Sequence, residues 1–326
     1  MKKRQFIASL CLVSAGWAIE LSPIVTKAES RIVAQQPASL AAEPDRRSTH
    51  PKIELLNPGA EPRQQLRLEP AINVKQARVI TLKIERGTSV NAQSSPALKL
   101  PGAVMTFETK VTKIDANGDI HYEFFFANAD IAGDTANFPA TAIDALRSQL
   151  KKMVGVKGSF IMDNRSFDKG GKFIYPEGVD SQLKQQFQQI SKEQLSLPLP
   201  AEAVGKGAKW RVFSASNFNG INVNNIVTYE LTGLQDGVVT LNSSIEQQAN
   251  PQNLTRPQLP AGATLTLKSF VGQGGGEFII RLDQLQPVRF IMSFNSHTEI
   301  VLKNPGNPEE LTFKTQMSME MTLDSK

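Results

Sequence analysis

From Leu311 to Leu323 the chain alternates without a break. Leu311, Phe313, Thr315, Met317, Met319, Met321 and Leu323 take turns with Thr312, Lys314, Gln316, Ser318, Glu320 and Thr322. Successive side chains of an extended strand point to opposite faces, so this run makes a ribbon that is apolar on one side and wet on the other. A helix would scatter the same apolar residues around its axis. The run therefore demands a sheet with one face buried and one face in water.

The same period recurs upstream. In VITLKIE, Ile80, Leu82 and Ile84 alternate with Thr81, Lys83 and Glu85. VMTFETKVTKI runs into DANGD and IHYEFFFANADI leaves it, so Asn117-Gly118 predicts a hairpin with a type I′ turn. NIVTYELTGL and VVTLNSSI flank Asp236-Gly237 in the same way. Each hairpin is followed by a related run, GSFIMD from Gly158 and GEFIIRLD from Gly276. Phe160, Ile161 and Met162 correspond to Phe278, Ile279 and Ile280 at nearly the spacing that separates Gly118 from Gly237. Two features recurring at one spacing predict a degenerate duplication.

Two segments break the alternation. In FPATAIDALRSQLKKMVG, Ile143, Leu146, Leu150 and Met153 share one helical face, with Thr141 and Asp144 placed as a capping box and Gly155 as a stop. In DSQLKQQFQQISKEQL, Leu183, Phe187 and Ile190 share another, ending before Pro198. Pro51, Pro58, Pro62 and Pro70 forbid regular helix ahead of the first strand and predict a lead-in laid along a sheet edge. The fold class expected is mainly β with two amphipathic helices. The antiparallel sheets form a half-barrel or a sandwich, built from two degenerate β repeats over 52–200 (carrying the helices) and 201–326, joined in one body.

The amino-terminal region reads as an address. Lys2, Lys3 and Arg4 precede a mostly apolar stretch from Phe6 to Val25, and small residues at Thr26 and Ala28 suit cleavage before Glu29. Residues 1–28 are thus expected to be a signal peptide. An uncleaved anchor would have to carry Glu20 and Pro23 through the bilayer. Cys11 follows Leu10, where lipid attachment wants a small residue, so a lipoprotein is not expected. Residues 29–51 lack any periodicity and read as a disordered tether.

Cleavage changes the charge. The chain has 36 basic and 31 acidic residues; the leader holds four of the first (Lys2, Lys3, Arg4, Lys27) and one of the second (Glu20), leaving 32 and 30. That balance leaves no stripe for nucleic acid. The mature product would have no cysteine, which suits an oxidising compartment, the periplasm or the exterior, with no transmembrane span after cleavage.

Motifs of reaction chemistry are sparse. The three histidines, His50, His121 and His297, stand apart with no metal-ligand spacing, and no serine occupies a G-x-S-x-G context. DANGD opens like a calcium loop but has Phe126 at the twelfth place, so it reads as a turn. GQGGG (272–276) precedes a strand-like run rather than a helix, and reads as a flexible turn or bulge. Arg147, Lys151, Lys152, Lys157, Arg165, Lys169 and Lys172 form a basic segment, either a solvated face or a patch for anionic groups. No cofactor is expected, and no catalytic residue; a hydrolase built on Glu108, Glu123 and Asp130 would escape motif reading.

The sharpest candidate is the alternating strand itself. Methionine is unbranched and polarizable and lines adaptable apolar cavities. Phe313, Met317, Met319 and Met321 are therefore the candidate face for a lipid, quinone or pigment tail, the other reading being an ordinary core filled by these side chains.

In LPLPAEAVGKGAKWRV (197–212), Pro200, Val204, Gly205, Gly207 and Trp210 match a Leu-Pro, Val-Gly-x-Gly, Trp signature. In these residues the chain resembles an exported bacterial family of unknown function, and LLNPGAEPRQQLRLEP and DANGD look similar to its cyanobacterial members. The resemblance spans 52–326 and implies no active-site residues. The function expected is an exported, non-enzymatic envelope protein binding a lipid or other apolar small molecule in a groove between sheet and helices. The alternatives are a structural adaptor meeting an envelope protein partner, an outer-membrane barrel, and an enzyme.

Overall fold

The computed structural model describes residues 51–326 apart from 182, 185–186, 188–196, 219, 257–258 and 307–308. The expected signal peptide and nearly all of the expected tether lie outside the described residues, as does Ile190. In chain order the elements are β1 (Lys52–Asn57), β2 (Gln64–Gln65), β3 (Lys75–Val90), β4 (Gln93–Lys99), β5 (Gly102–Ile114) and β6 (Ile120–Ala132). Helix α1 (Ala140–Lys151), β7 (Lys157–Met162), β8 (Asp168–Ile174), β9 (Ala203–Val204) and β10 (Lys209–Phe218) follow. The last are β11 (Ile221–Gln235), β12 (Val238–Ala249), β13 (Gln252–Leu254), β14 (Thr264–Arg281), β15 (Arg289–Lys303) and β16 (Leu311–Ser325).

Fourteen of these strands form one antiparallel sheet, ordered β1-β10-β11-β12-β14-β15-β16-β3-β5-β6-β7-β8, with β13 beside β14 and β4 beside β3. The chain is mainly β, and its large sheet is single rather than a sandwich of two. The two ends of the path, β1 and β8, do not pair, so the sheet is not a closed barrel and lacks the closure an outer-membrane barrel requires. It is nevertheless strongly curled, because Ile53 and Leu55 of β1, Phe160 of β7 and Phe173 of β8 all join the same apolar core as the central Met317, Met319 and Met321. Two irregular segments pack against this core beside the β7–β8 turn and the end of β14. Leu68 N donates to Asn164 O at 2.7 Å, Leu199 N to Arg165 O at 3.1 Å and Glu69 N to Leu282 O at 2.7 Å, seating the buried Leu66, Leu68, Leu197 and Leu199 as a plug.

The two halves of the sheet are matched in register. After the first hairpin, Ile120 pairs with Met162 and Tyr122 with Phe160; after the second, Val239 pairs with Ile280 and Leu241 with Phe278. The partners lie at spacings from their turn glycines, Gly118 and Gly237, that agree to within one residue. Each five-stranded meander also borrows its leading strand. β16 precedes β3–β8, and β1 precedes β10–β15.

Local chemistry departs from the sequence reading at four places. The Asp236-Gly237 turn has φ of 50° and 73°, as a type I′ turn needs, but in DANGD Gly118 alone is left-handed. There Gly118 N donates to Asp115 O and Asp115 N to Asp119 O, a wider turn that lets Asn117 Oδ1 accept Asp119 N instead. The helix α1 is capped by Pro139 with no side-chain bond, so Thr141 and Asp144 form no capping box. Pro139 O accepts Ile143 N, and the helix begins at Ala140, two residues earlier than a cap at Thr141 would place it. The GQGGG run is not a turn. It lies inside the continuous strand β14, where a Cβ on Gly272 would meet the Phe294 ring at 2.4 Å and one on Gly276 would meet Ile291 O at 2.2 Å. Glycine is required there by close approach, not by bending. Of the second expected helix, Ser181, Leu183, Lys184 and Phe187 are helical, with Leu183 N capped by Asp180 Oδ1 at 2.8 Å. Leu183 and Phe187 cover a small apolar cluster with Val156 and Val179, while the segment's remaining residues lie mostly outside the described ones.

Two tyrosines are sealed in the core, Tyr122 and Tyr229. Burial raises the Tyr229 phenol, and burial followed by the charge of Asp168 raises Tyr122 well above its usual range. A raised folded-state value means that these groups favour the fold below the unfolded value of about 10, and that this contribution is lost as pH climbs past it. The expected result of an alkaline titration is phenolate absorbance from these two rings appearing together with loss of the β-sheet circular dichroism. Reversible ionisation of all three tyrosines with the sheet intact would contradict their burial.

Candidate functional site

The candidate face from the sequence divides along β16. Met319 and Met321 pack in the main core, Met317 is buried at its upper boundary, and Phe313 is half-buried beyond it. A cavity of about 260 Å³ opens elsewhere, lined by Pro51, Ile53, Asp163, Arg165, Phe167, Ala201 and Glu202, and none of the four borders it.

What the strand register adds is a set of rows crossing the curled face. Val212, Val227, Ile245, Gly274, Phe294, Met319 and Ile84 are successive cross-strand neighbours from β10 to β3, and every one is apolar or glycine. One step further along each strand on the same face, the row reads Ser214, Asn225, Gln247, Gly272, Ser296, Met317 and Arg86. It is polar at five of seven places. Beyond it a second apolar cluster begins with Val223, Ala249 and Phe270, which pack with Ile221, Leu254, Leu265 and Leu267. A polar belt thus lies between two apolar zones on the inward face.

These groups are deeply buried. Asn225 is 2% exposed, Ser296 4% and Ser214 8%. Asn225 Nδ2 donates to Ser216 Oγ at 3.2 Å, while Asn225 Oδ1 and Ser214 Oγ have no partner among the described residues. Such a group costs about 1–3 kcal/mol unless its bond is made, so native interiors hold few. Neighbouring strands are about 4.8 Å apart, which places adjacent members of the row within reach of one ligand group.

At the β3 end the belt widens. Thr298, Thr315 and Thr88 are cross-strand neighbours one step above Ser296, Met317 and Arg86, and all three are half-buried. Arg86 itself is half-buried, with its Nε shielded and unbonded among the described residues. Burial lowers its guanidinium from the ordinary value, but an arginine stays charged. The neighbouring carboxylates alternate to the outer face, where Glu320 pairs with Lys83 and Glu299 with Lys314.

A second inward arginine shows what a structural role looks like. Arg78 is 3% exposed, and donates from Nε to Pro287 O at 2.6 Å, from Nη1 to Ala77 O at 3.0 Å and from Nη2 to Gln284 Oε1 at 2.6 Å. It clamps the β14–β15 connection to β3. Arg86, on the same face of the same strand, makes no such set.

The other sequence candidates are dispersed. His121 Nε2 lies 2.6 Å from Asp115 Oδ2, and Lys113 Nζ lies 2.6 Å from Asp115 Oδ1, at the rim of the β5–β6 hairpin. Those two partners hold the Asp115 carboxyl below its usual range, Lys113 first. His297 is exposed on β15, across from Val271 and Gln316. Of the three carboxylates weighed for hydrolysis, Glu108 pairs with Lys75 and Asp130 with Arg147, while Glu123 lies on the outer face of β6. Much of the basic segment is internally answered: Arg147 meets Asp130 and Asp144, Lys152 meets Asp180, Lys169 meets Asp119, and Lys157 and Arg165 lie over the rings of Phe125 and Phe167. Sequence reading found Met317 but missed Ser214, Asn225, Gln247, Ser296 and Arg86.

The signature residues serve the plug instead. Trp210 is fully buried, stacks on Tyr229 with centroids 5.6 Å apart, and donates Nε1 to Pro198 O at 3.0 Å. Gly205 N donates to Pro58 O and Ala60 N to Lys206 O, both at 2.9 Å, so the lead-in runs backbone to backbone against the Val-Gly turn. No helix among the described residues is long and apolar enough to cross a membrane. No protein-family model matches the chain, and no curated protein matches it.

Proposed function

We propose that this is an exported, non-enzymatic envelope protein, working in the periplasm or outside the cell, that binds an amphipathic small molecule on the inward face of its curled sheet. The observation that carries the reading is the polar row at Asn225, with the unbonded Asn225 Oδ1 and Ser214 Oγ set inside an otherwise oily interior. A core whose only task is packing gains nothing from such groups, whereas a ligand with one polar end among apolar contacts uses both kinds. Met317, at the junction of the two, supplies the adaptable apolar contact, and Phe313 flanks it above. Membership of the exported family with the Leu-Pro, Val-Gly-x-Gly, Trp signature belongs to the same proposal. So does descent from a duplicated β unit, which the registers after Gly118 and Gly237, alike to within one residue, support.

Native mass spectrometry of the protein purified from a bacterial envelope is expected to show an adduct of lipid-like mass that organic extraction removes. The bare chain mass throughout would overturn the reading. The alternative of an envelope adaptor is favoured by one feature, the edge of β8, unpaired among the described residues, with Ile174 54% exposed. Enrichment of a defined envelope protein on the immobilised chain, abolished by a charged substitution at Ile174, is the outcome that would select it.

A further inference from the structure

We infer that the ligand is an anionic amphiphile, a long apolar chain ending in a carboxylate or phosphate, and that Arg86 is the group that meets its charge. This rests on the ligand-binding reading above and specifies the substrate class for the same face.

The inference comes from the asymmetry of the polar row. Its β10–β12 end carries neutral groups, Ser214, Asn225 and Gln247, whereas its β3 end carries a cation. Arg86 is half-buried, directly across from Met317, and has neither a carboxylate nor a hydrogen-bond acceptor among the described residues. A partly desolvated guanidinium without a counter-charge is costly, and planar paired donors of this kind fit carboxylate and phosphate oxygens in particular. Around it, Ser296, Thr298, Thr315 and Thr88 occupy the neighbouring places on the same face, all hydroxyl donors and none of them charged. That is a lining for an oxyanion, since hydroxyls complete the bonds that one guanidinium leaves open. The next row inward, Phe294, Met319 and Ile84, is where an alkyl chain attached to such a head would lie. The position also lies toward the mouth of the curl. β3 here pairs with the exposed β4, whose Leu98 faces Arg86 and is 51% exposed, so a charged head need not cross the core to reach it.

The test uses delipidated mature protein and three probes sharing one chain length: hexadecanoate, hexadecyl phosphate and hexadecanol. The expected result is that at least one anion binds about tenfold or more tightly than the alcohol. Arg86→Met is expected to erase that preference, and Arg86→Lys to restore part of it. The tighter of the two anions identifies the head as carboxylate or phosphate. Equal affinity of the wild-type protein for anion and alcohol would overturn this inference while leaving the ligand-binding function intact. An anion preference that survives in Arg86→Met would overturn the assignment of Arg86. Binding of none of the three probes would overturn both readings. The wild-type comparison decides the charge question even where a variant folds poorly, and Ser296→Val, expected to weaken anion binding more than alcohol binding, gives a second variant that removes no charge.

Discussion

A Trp210→Ala variant is expected to lose about 4 kcal/mol of stability, read as a lowered urea midpoint with an unchanged slope. The ring is fully buried, its face is stacked on Tyr229, and its Nε1 holds Pro198 O at 3.0 Å. Truncation opens a cavity the size of an indole in the main core and frees the plug segment that carries Leu197 and Leu199. Domains are typically stable by about 5–15 kcal/mol, so a loss of this size removes a large share of the whole. Trp210→Phe separates the two contributions. It keeps most of the packing and leaves the Pro198 carbonyl without its donor, which costs about 1–2 kcal/mol. A Trp210→Ala midpoint equal to that of the wild-type protein would sink the view that this residue pins the plug.

Gly205→Ala is expected to be as damaging for a different reason. A Cβ there would stand 1.8 Å from Ala60 O and 3.0 Å from Pro62 O, and both are backbone atoms that no rotamer change can move aside. Making room separates the lead-in from the turn and breaks the bonds Gly205 N makes to Pro58 O and Ala60 N to Lys206 O. The cost is about 3 kcal/mol or more. Gly207→Ala is the comparison. Its φ is +83° with nothing within 4 Å of the added atom, so it suffers left-handed strain alone, about 1–2 kcal/mol. Thermal melts of the two variants side by side are expected to rank them in that order. Equal melting temperatures would mean that close approach at Gly205 is not what fixes this turn.

The β architecture was open to sequence reading wherever a strand has one wet face. Met317, Met319, Met321 and Leu323 are buried as their alternation requires, and Ile143 and Leu150 are the buried residues of α1. Reading failed where a strand is unusual in composition. Gly272 to Gly276 lack strand propensity, and their place in β14 follows from the Phe294 ring and neighbouring carbonyls taking the space of side chains, which is invisible along one strand. The polar row failed for a related reason. Asn225 and Gln247 look like ordinary irregularities of two alternating runs, and Arg86 like a surface charge. Their relation exists only across six hydrogen-bonded strands, through a register that alternation fixes to a face but not to a partner. Methionine could be suspected from type alone, because its use in adaptable surfaces is a property of the side chain itself.

The placement of β16 between β15 and β3 also sets the order in which the molecule can be made. Thr315 lies across from Thr88 and Leu323 from Ile80, so the central seam joins residues more than two hundred positions apart in the chain. Until the polypeptide has been synthesised through that strand, the first meander has no neighbour along β3 and its oily side stays uncovered. Contacts this distant close slowly. A nascent chain with an unfinished seam keeps that edge of β3 open, and it acquires its final shape only once β16 has been made.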